Sequence, residues 1–349
     1  MRIAQVLLSP RVGGAETLAA SLEREWRLSG VDSRIFYLES SGSASSRFKR
    51  WRNLMWEIRD FGPAVVVAHS ALPNLYSRLS TPTAIPVVTV LHSATDDFLN
   101  FRLRITEILL LKRTQAIVAV SAAQSRTYLS HFPRAQTRMR VIMNGVASNL
   151  PMKSPDKVGP NIKRIVTLAR FAPQKNPSLW IDTIETLSAK RQDAHFEWWG
   201  PIAEDSESQE LSRVARRPDF QGELKGATDE PGQVLLTADI FFHSSDREAH
   251  SVAILEAVAV GVPIVCSQYV GATLDEDIPF VAFETGNASA AVAAVESVMD
   301  DWPRAVAKSL AIRADIRAKY SSANCAMAYL ELFYTLVPTP TQNDAASSV

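Results

Sequence analysis

Asp246-Arg247-Glu248-Ala249-His250-Ser251-Val252-Ala253-Ile254-Leu255-Glu256-Ala257 is the stretch from which the fold of this chain is read. Ahead of it, Ala238 to His243 is a mostly apolar, strand-like run, and Ser251 to Val260 has the length and composition of a short helix. Ser251 suits the N-cap, because its hydroxyl can accept from a first-turn amide. Gly261 suits the position just past the helix, where a left-handed residue is favoured. Pro263 opens the next strand, Ile264 to Ser267. The resulting β-loop-α-β unit sets Glu248 in the loop at a strand's carboxyl end and Glu256 inside the helix. In open parallel sheets that edge is where ligands bind. The amides of Ser251, Val252 and Ala253 lie where a helix start leaves N–H groups without carbonyl partners, which favours phosphate.

The same alternation of short Val- and Ile-rich runs with helix-length segments occurs twice along the chain, which is the pattern of a parallel sheet covered on both faces. The first set of strands is expected near Ile3–Leu8, Arg34–Leu38, Ala64–Ala68, Pro86–Leu91, Ala116–Val120 and Arg140–Met143, with helices such as Glu16–Ser29 and Phe98–Arg113. The second is expected near Arg164–Leu168, His195–Trp198, Asp219–Gln221, Asp239–His243, Ile264–Ser267 and Phe280–Ala282. Asn149 to Pro160, with three prolines and a glycine, reads as the linker. Helices over Ala288–Ala318 and Ser322–Leu336 close the chain. The division expected is therefore a domain over 1–150, a domain over 160–320, a helix over 321–337 and a polar, frayed tail over 338–349.

The 349 residues suit about two domains. Their 37 basic and 37 acidic side chains balance, leaving no general cationic excess for nucleic acid. Cys266 and Cys325 are the only cysteines, too few for a disulfide scaffold and without the Cys/His spacing of a zinc site. The opening run is a strand rather than a signal peptide, because Gln5 and Pro10 break it. No apolar run reaches the roughly 18 residues of a membrane span. A cytoplasmic protein is expected.

Further segments place polar chemistry at strand ends. Gly13-Gly14 lies between the first strand and the first helix, where a missing Cβ lets backbone approach a ligand; a tight turn needing positive φ reads the same way. Ser9 to Glu16 lacks Gly-x-Gly-x-x-Gly, which argues against a nicotinamide cofactor. In Ala169-Arg170-Phe171-Ala172-Pro173-Gln174-Lys175-Asn176-Pro177, two cations follow a strand and precede a helix, a place from which they can neutralise a diphosphate. His92 ends the strand Val87–Leu91; a lone histidine there serves either structure or catalysis.

Glu248, seven residues, Glu256-Ala257 and then Gly261-Val262-Pro263-Ile264-Val265 resembles the signature of the retaining family 4 glycosyltransferases, the glycosyl transferases group 1. Arg170-Phe171 with Lys175-Asn176, and Gly13-Gly14, resemble further motifs of that family. The resemblance implies a GT-B fold, α/β, with two doubly wound Rossmann-like domains facing across a cleft. It implies that Glu256 bonds the donor ribose, that Glu248 lies near the transferred sugar and that His92 contacts the donor sugar or phosphate. Arg170 and Lys175, with the amides of Ser251, Val252 and Ala253 after His250, would hold the diphosphate, with Gly13 and Gly14 closing from the first domain. One departure bears on the donor: Ala249-His250-Ser251 stands where the family has Gly-Phe-Gly. The added Cβ atoms narrow the sugar's space and His250 offers a hydrogen bond, so the sugar's identity does not carry over.

No cofactor is expected beyond the nucleotide-sugar substrate, and no metal. Asp275-Glu276-Asp277 has the Asp-x-Asp form of some metal sites but is read as an exposed turn before Ile278-Pro279. Arg47 to Arg59 sets Phe48, Trp51, Met55 and Ile58 on one helical face among cations, which suits an anionic membrane surface or a crossover helix packed on the sheet. The activity expected is retaining transfer of a sugar from a UDP- or GDP-sugar to a hydroxyl of a glycan or lipid-linked glycan. A nucleotide-sugar 2-epimerase and a non-catalytic nucleotide-sugar-binding subunit are the alternatives.

Overall fold

Val65–His69 is buried at every residue, as a strand covered on both faces must be. It belongs to one of two six-stranded, wholly parallel sheets. The computed structural model describes residues 1–10, 13–39, 46–93, 96–157, 159, 164–192 and 194–337. The chain divides into two compact units, one running from Met1 to Gly145 and resuming at Ser322, the other spanning Val146–Ser321.

The first unit contains β1 Arg2–Leu7, α1 Gly14–Leu28, β2 Asp32–Tyr37, α2 Arg47–Phe61, β3 Val65–His69, α3 Ala71–Ser80, β4 Val87–Leu91, α4 Phe101–Leu110, β5 Ala116–Ala119, α5 Ala122–His131 and β6 Met139–Val141. The second contains β7 Arg164–Leu168, α6 Pro177–Lys190, β8 His195–Trp199, α7 Ser206–Val214, β9 Gly222–Gly226, α8 Pro231–Thr237, β10 Ile240–His243, α9 Val252–Val260, β11 Ile264–Ser267, α10 Gln268–Gly271, β12 Val281–Phe283, α11 Ala288–Asp300 and α12 Trp302–Lys319. The last described helix, α13 Ser322–Leu336, belongs to the first unit. It packs on α1, where Trp26 donates its ring N–H to the Ala326 carbonyl at 3.0 Å and Phe333 meets the Trp26 ring edge-on at 5.6 Å.

Strand order in the first sheet is β2-β1-β3-β4-β5-β6, and in the second β12-β11-β10-β7-β8-β9. Winding therefore reverses between β1 and β3 and between β7 and β10, and such a reversal opens a crevice at the carboxyl edge. Ile165 pairs with Ile240 in the second sheet, so Leu168 and His243, each three residues on, end their strands level. The loops after β7 and β10 thus start side by side.

Several expectations are corrected. The chain crosses between units at Gly145/Val146, ahead of the segment read as a linker. The described part of that segment is tied into the second unit: the Lys153 amide donates to the Val260 carbonyl at 2.9 Å and Arg317 donates to the Leu150 carbonyl at 2.7 Å. The single helix expected over Ala288–Ala318 breaks at Asp301, because Pro303, having no N–H, fits a first helical turn and not an interior. The strand expected at Asp219–Gln221 forms instead at Gly222–Gly226, after Phe220 turns into the core. In α2, Ile58 is buried with Leu54 and Phe61 and Trp51 packs against them, while Phe48 and Trp56 face outward. The helix crosses over the sheet and splits the face grouped as membrane-facing: Ile58 is buried, Trp51 and Met55 are half-buried and Phe48 is exposed; the Arg47 side chain and the tail over 338–349 lie outside the described residues.

Candidate active site

At the β7/β10 reversal the second unit gathers most of the charged residues singled out in the sequence. The Arg170 turn is held by backbone on both sides: the Ala169 amide donates to the Trp199 carbonyl and the Phe171 amide to the Pro201 carbonyl, each at 2.9 Å. Trp198 donates its ring N–H to the Ala169 carbonyl at 2.7 Å, and the fully buried Phe171 ring stands edge-on to Trp198 at 4.9 Å. The chain must pass close here. A Cβ on Gly200, whose φ is +149°, would lie 1.9 Å from the Ala169 oxygen. Between these anchors Arg170 is exposed, and among the described residues nothing pairs with its guanidinium.

Five residues on, Lys175 bonds Glu248. Asn176, left-handed at φ 48°, caps α6 by accepting from the Leu179 amide at 2.9 Å and donates to Asp246 at 2.8 Å. Ser244 donates to the Lys175 carbonyl at 2.8 Å, and Ser267 to the Ser245 carbonyl at 2.8 Å. These bonds fix the two loops against each other, so Lys175 and Glu248 meet without rearrangement.

All three donors to Glu248 reach Oε1: Lys175 Nζ, His243 Nε2 at 3.0 Å and Ser245 Oγ at 3.1 Å. Among the described residues Oε2 has no donor. Burial would raise the carboxyl, but the Lys175 charge and the bonds from His243 and Lys175 hold it down at about 2. Burial in turn lowers the His243 pKa, so the ring is neutral and donates through Nε2–H. Glu248 is a permanent anion with one oxygen saturated and one open. It can accept from a hydroxyl or face a developing cation, but it holds no proton to give near neutrality.

Glu256 is the opposite case. In α9 six of nine residues are buried, and only Val252, Ala253 and Glu256 retain partial exposure. Spaced i, i+1, i+4, they share one helical face. Ser251 caps the helix by accepting from the Ile254 amide at 3.4 Å, and Gly261 closes it at φ 99°, both as the sequence predicts. The first-turn amides of Val252 and Ala253 have no intrahelical acceptor. Among the described residues no group bonds the Glu256 carboxyl, and burial pushes it up to about 7. His250 turns inward, 5% exposed, 6.2 Å ring to ring from Tyr320, with burial lowering it to about 4. Its imidazole is therefore placed in the unit's interior, near Tyr320.

In the first unit His92 follows β4 directly. Its Nε2 lies 3.0 Å from Nδ1 of His69, whose Nε2 lies 3.2 Å from Oε1 of Gln5, and Gln5 Nε2 donates to the Ala19 carbonyl at 3.0 Å. The hydrogen-bond roles follow by elimination. A carbonyl only accepts, so the Gln5 amide nitrogen faces Ala19 and its oxygen faces His69; His69 must donate through Nε2–H, and its Nδ1 must accept from His92 Nε2–H. Burial lowers His92 to about 4 and His69 well below its usual value, which keeps both rings neutral. His92 is thus left with an Nδ1 lone pair, and it is an acceptor rather than a phosphate-neutralising cation. Beside it lies a cavity of about 150 Å³, walled mainly by Leu72, Leu75, Leu91, Phe98 and Leu103.

Gly13 is extended at φ −163°, so no left-handed turn requires it. A Cβ there would meet only the flexible end of Glu16, and one on Gly14 would meet nothing within 4 Å. Both glycines stand at the start of the fifteen-residue α1, Gly13 as its N-cap. Asp275 and Asp277 are both bridged by Lys319, at 2.8 and 3.0 Å. Among the described residues no group of three His, Cys, Asp or Glu side chains could hold a metal ion.

Sequence reasoning passed over His243, Ser245, His69 and Gln5, the residues that orient Glu248 and His92. For His243, His69 and Gln5 the signal is a polar side chain within or ending an otherwise apolar strand, since burying one there without a partner is costly; Ser245, in the loop past β10, carries no such signal.

The chain matches the family model for glycosyl transferases group 1 over residues 153–314 and that for glycosyltransferase family 4 over residues 12–150. No curated protein matches it. Among solved structures it is similar to HepE of Anabaena in complex with UDP and glucose, at 16% identity over 96% of this chain and 99% of that one, TM-score 0.79. It is similar to sucrose-phosphate synthase of Thermosynechococcus elongatus at 15% identity over 96% and 98%, TM-score 0.79. A glycosyltransferase of Rickettsia africae aligns at 17% identity over 97% and 99%, TM-score 0.74. With two parallel doubly wound units and both models matched in order along its length, the chain belongs to the family 4 glycosyltransferases and has their two-domain GT-B fold.

Proposed function

We propose that this glycosyltransferase moves a sugar, with retention of anomeric configuration, from a UDP- or GDP-linked donor to a hydroxyl of a glycan or lipid-linked glycan. The observation that carries the reading is the grouping at one sheet reversal of Arg170, Lys175 and the Glu248 carboxylate, with Arg170 and one Glu248 oxygen unpartnered among the described residues. Such a set suits an anionic leaving group next to a polyhydroxyl sugar. Arg170, Lys175 and the amides of Val252 and Ala253 take the diphosphate, and Glu256 accepts from the ribose hydroxyls. Glu248 Oε2 accepts from a sugar hydroxyl and opposes positive charge at the anomeric carbon. Within the first unit, His92 Nδ1 accepts from a hydroxyl, and Gly13-Gly14 leaves room for close backbone approach. HepE, which has the same fold, is bound to UDP and glucose.

In the step proposed, the acceptor oxygen bonds the anomeric carbon on the face from which the diphosphate departs. The bond from that carbon to the phosphate oxygen breaks, and the acceptor's proton passes to the leaving phosphate. Charge grows on the diphosphate as the bond opens, so cations fixed beforehand lower the barrier without a metal being required. The test is binding of UDP, GDP and their sugars by thermal shift, followed by release of nucleotide from the donor that binds. Arg170→Ala is expected to slow transfer about 10²-fold with little change in melting, since among the described residues nothing pairs with Arg170. No nucleotide binding, or a wild-type rate in that variant, overturns the assignment.

A further inference from the structure

On α4 the outward residues are apolar where water would favour polar ones. Phe101 is 72% exposed, Ile108 57% and Leu109 71%, with Ile105 also exposed between them. Spaced i, i+4, i+7 and i+8, they form one stripe along the helix. The inward face is mixed: Leu103 lines the cavity beside His92, while Glu107 is the one buried residue of the helix. An exposed apolar stripe of this length marks contact with a partner or a membrane surface. Its charges are equally one-sided. Arg102 and Arg104 are exposed and fall on opposite flanks of the stripe, and Lys112 follows at its end. The helix's single acid, Glu107, is taken inward by Arg78 at 2.5 Å. Right-handed crossovers set α2, α3 and α4 in a row on one face of the sheet, and the neighbours add exposed Leu79 from α3 and Trp56 from α2.

We propose that α4 is the element by which the first unit lies on an anionic membrane surface. Phe101, Ile105, Ile108 and Leu109 enter the headgroup boundary, while Arg102, Arg104 and Lys112 meet lipid phosphates. Charge complementarity selects this occupant, because an apolar stripe rimmed by cations and free of exposed acid matches a plane of uniform negative charge. Among the described residues no helix is long and apolar enough to cross a membrane, and the attachment proposed is that of a helix lying in the surface. It requires neither donor nor acceptor and stands or falls apart from the transfer reaction.

The experiment is co-sedimentation of the full chain with vesicles of phosphatidylcholine alone or in equal mixture with phosphatidylglycerol. The wild type is expected to sediment with the mixed vesicles and to be released by salt. Ile108→Ser with Leu109→Ser is expected to weaken partition about tenfold per side chain. Arg102→Gln with Arg104→Gln is expected to weaken it about fivefold per charge and to remove the preference for anionic lipid. Both variants change exposed positions and are expected to melt with the wild type, which excludes misfolding as the cause. Failure of the wild type to bind mixed vesicles, or full binding by the serine variant, overturns the proposal. A concentration-dependent dimer abolished by the serine variant, with no vesicle binding, assigns the stripe to a second copy and overturns it equally.

Discussion

The carboxyl edges of the two sheets are built alike and equipped differently. In the second unit the loops after β7 and β10 carry full charges, with Lys175 and Glu248 joined and Arg170, among the described residues, free. In the first unit the strand ends carry two neutral rings, His69 and His92, in series with the Gln5 amide, beside a mostly apolar cavity. A doubly wound sheet therefore specifies where a ligand can sit but not what it will be; that is set by a few side chains at the strand ends. The second unit is equipped for an anion, and the first for hydroxyls and apolar surface.

The contrast breaks most severely if the charged pair is removed. Lys175→Ala is expected to lower the transfer rate by about 10²- to 10³-fold and to raise the Glu248 carboxyl from about 2. Glu248 is held below its ordinary 4.5, so its contribution to stability is present above about pH 4.5 and is lost as pH falls towards 2. The variant should lose that acid-side dependence of melting, and an unchanged profile would show that the pair is not formed in solution.

A smaller effect sharpens the comparison within the second unit. Glu256 is raised from 4.5 to about 7, so the stability gained from its neutral form is complete below 4.5 and lost as pH rises through 7. Donor hydroxyls favour the ionised form, so nucleotide binding at pH 6 should release a proton, measurable by calorimetry in buffers of different ionisation enthalpy. Glu256→Gln should abolish the release and weaken binding about tenfold. Equal proton release by wild type and variant would exclude Glu256 from the donor's contacts.

The smallest effect is expected in the first unit. Gln5→Leu removes the acceptor that orients His69, frees the His92 tautomer, and should reduce transfer about tenfold without moving the pH dependence that Glu256 sets. Nitrogen shifts of the His92 ring report the change directly; a His92 ring still protonated at Nε2 alone in the variant would show that the relay is not what selects the tautomer.

How far each edge was legible follows from the range of the forces involved. Strand and helix periodicity, the Ser251 cap and Gly261 depend on near neighbours, and they stood in the sequence. So did Arg170, Lys175, Glu248 and Glu256, because their spacing repeats a family pattern. Their electrostatics did not. Lys175 and Glu248 are 73 residues apart and meet only because β7 and β10 end level. Glu248 and Glu256, alike in sequence, are driven to about 2 and about 7 by neighbours that the sheet supplies or withholds.

The same holds for surfaces. Composition marked α2 as an amphipathic basic helix, but only its packing on the sheet shows that Ile58 and Leu54 face the core, while α4 leaves its stripe outside. By itself, then, the sequence determined the two-sheet architecture and the residue types at the strand ends, which local pattern encodes. Which of those residues are paired, which are free, and which proton each ring carries were decided by tertiary structure, because burial and long-range contact set a group's charge.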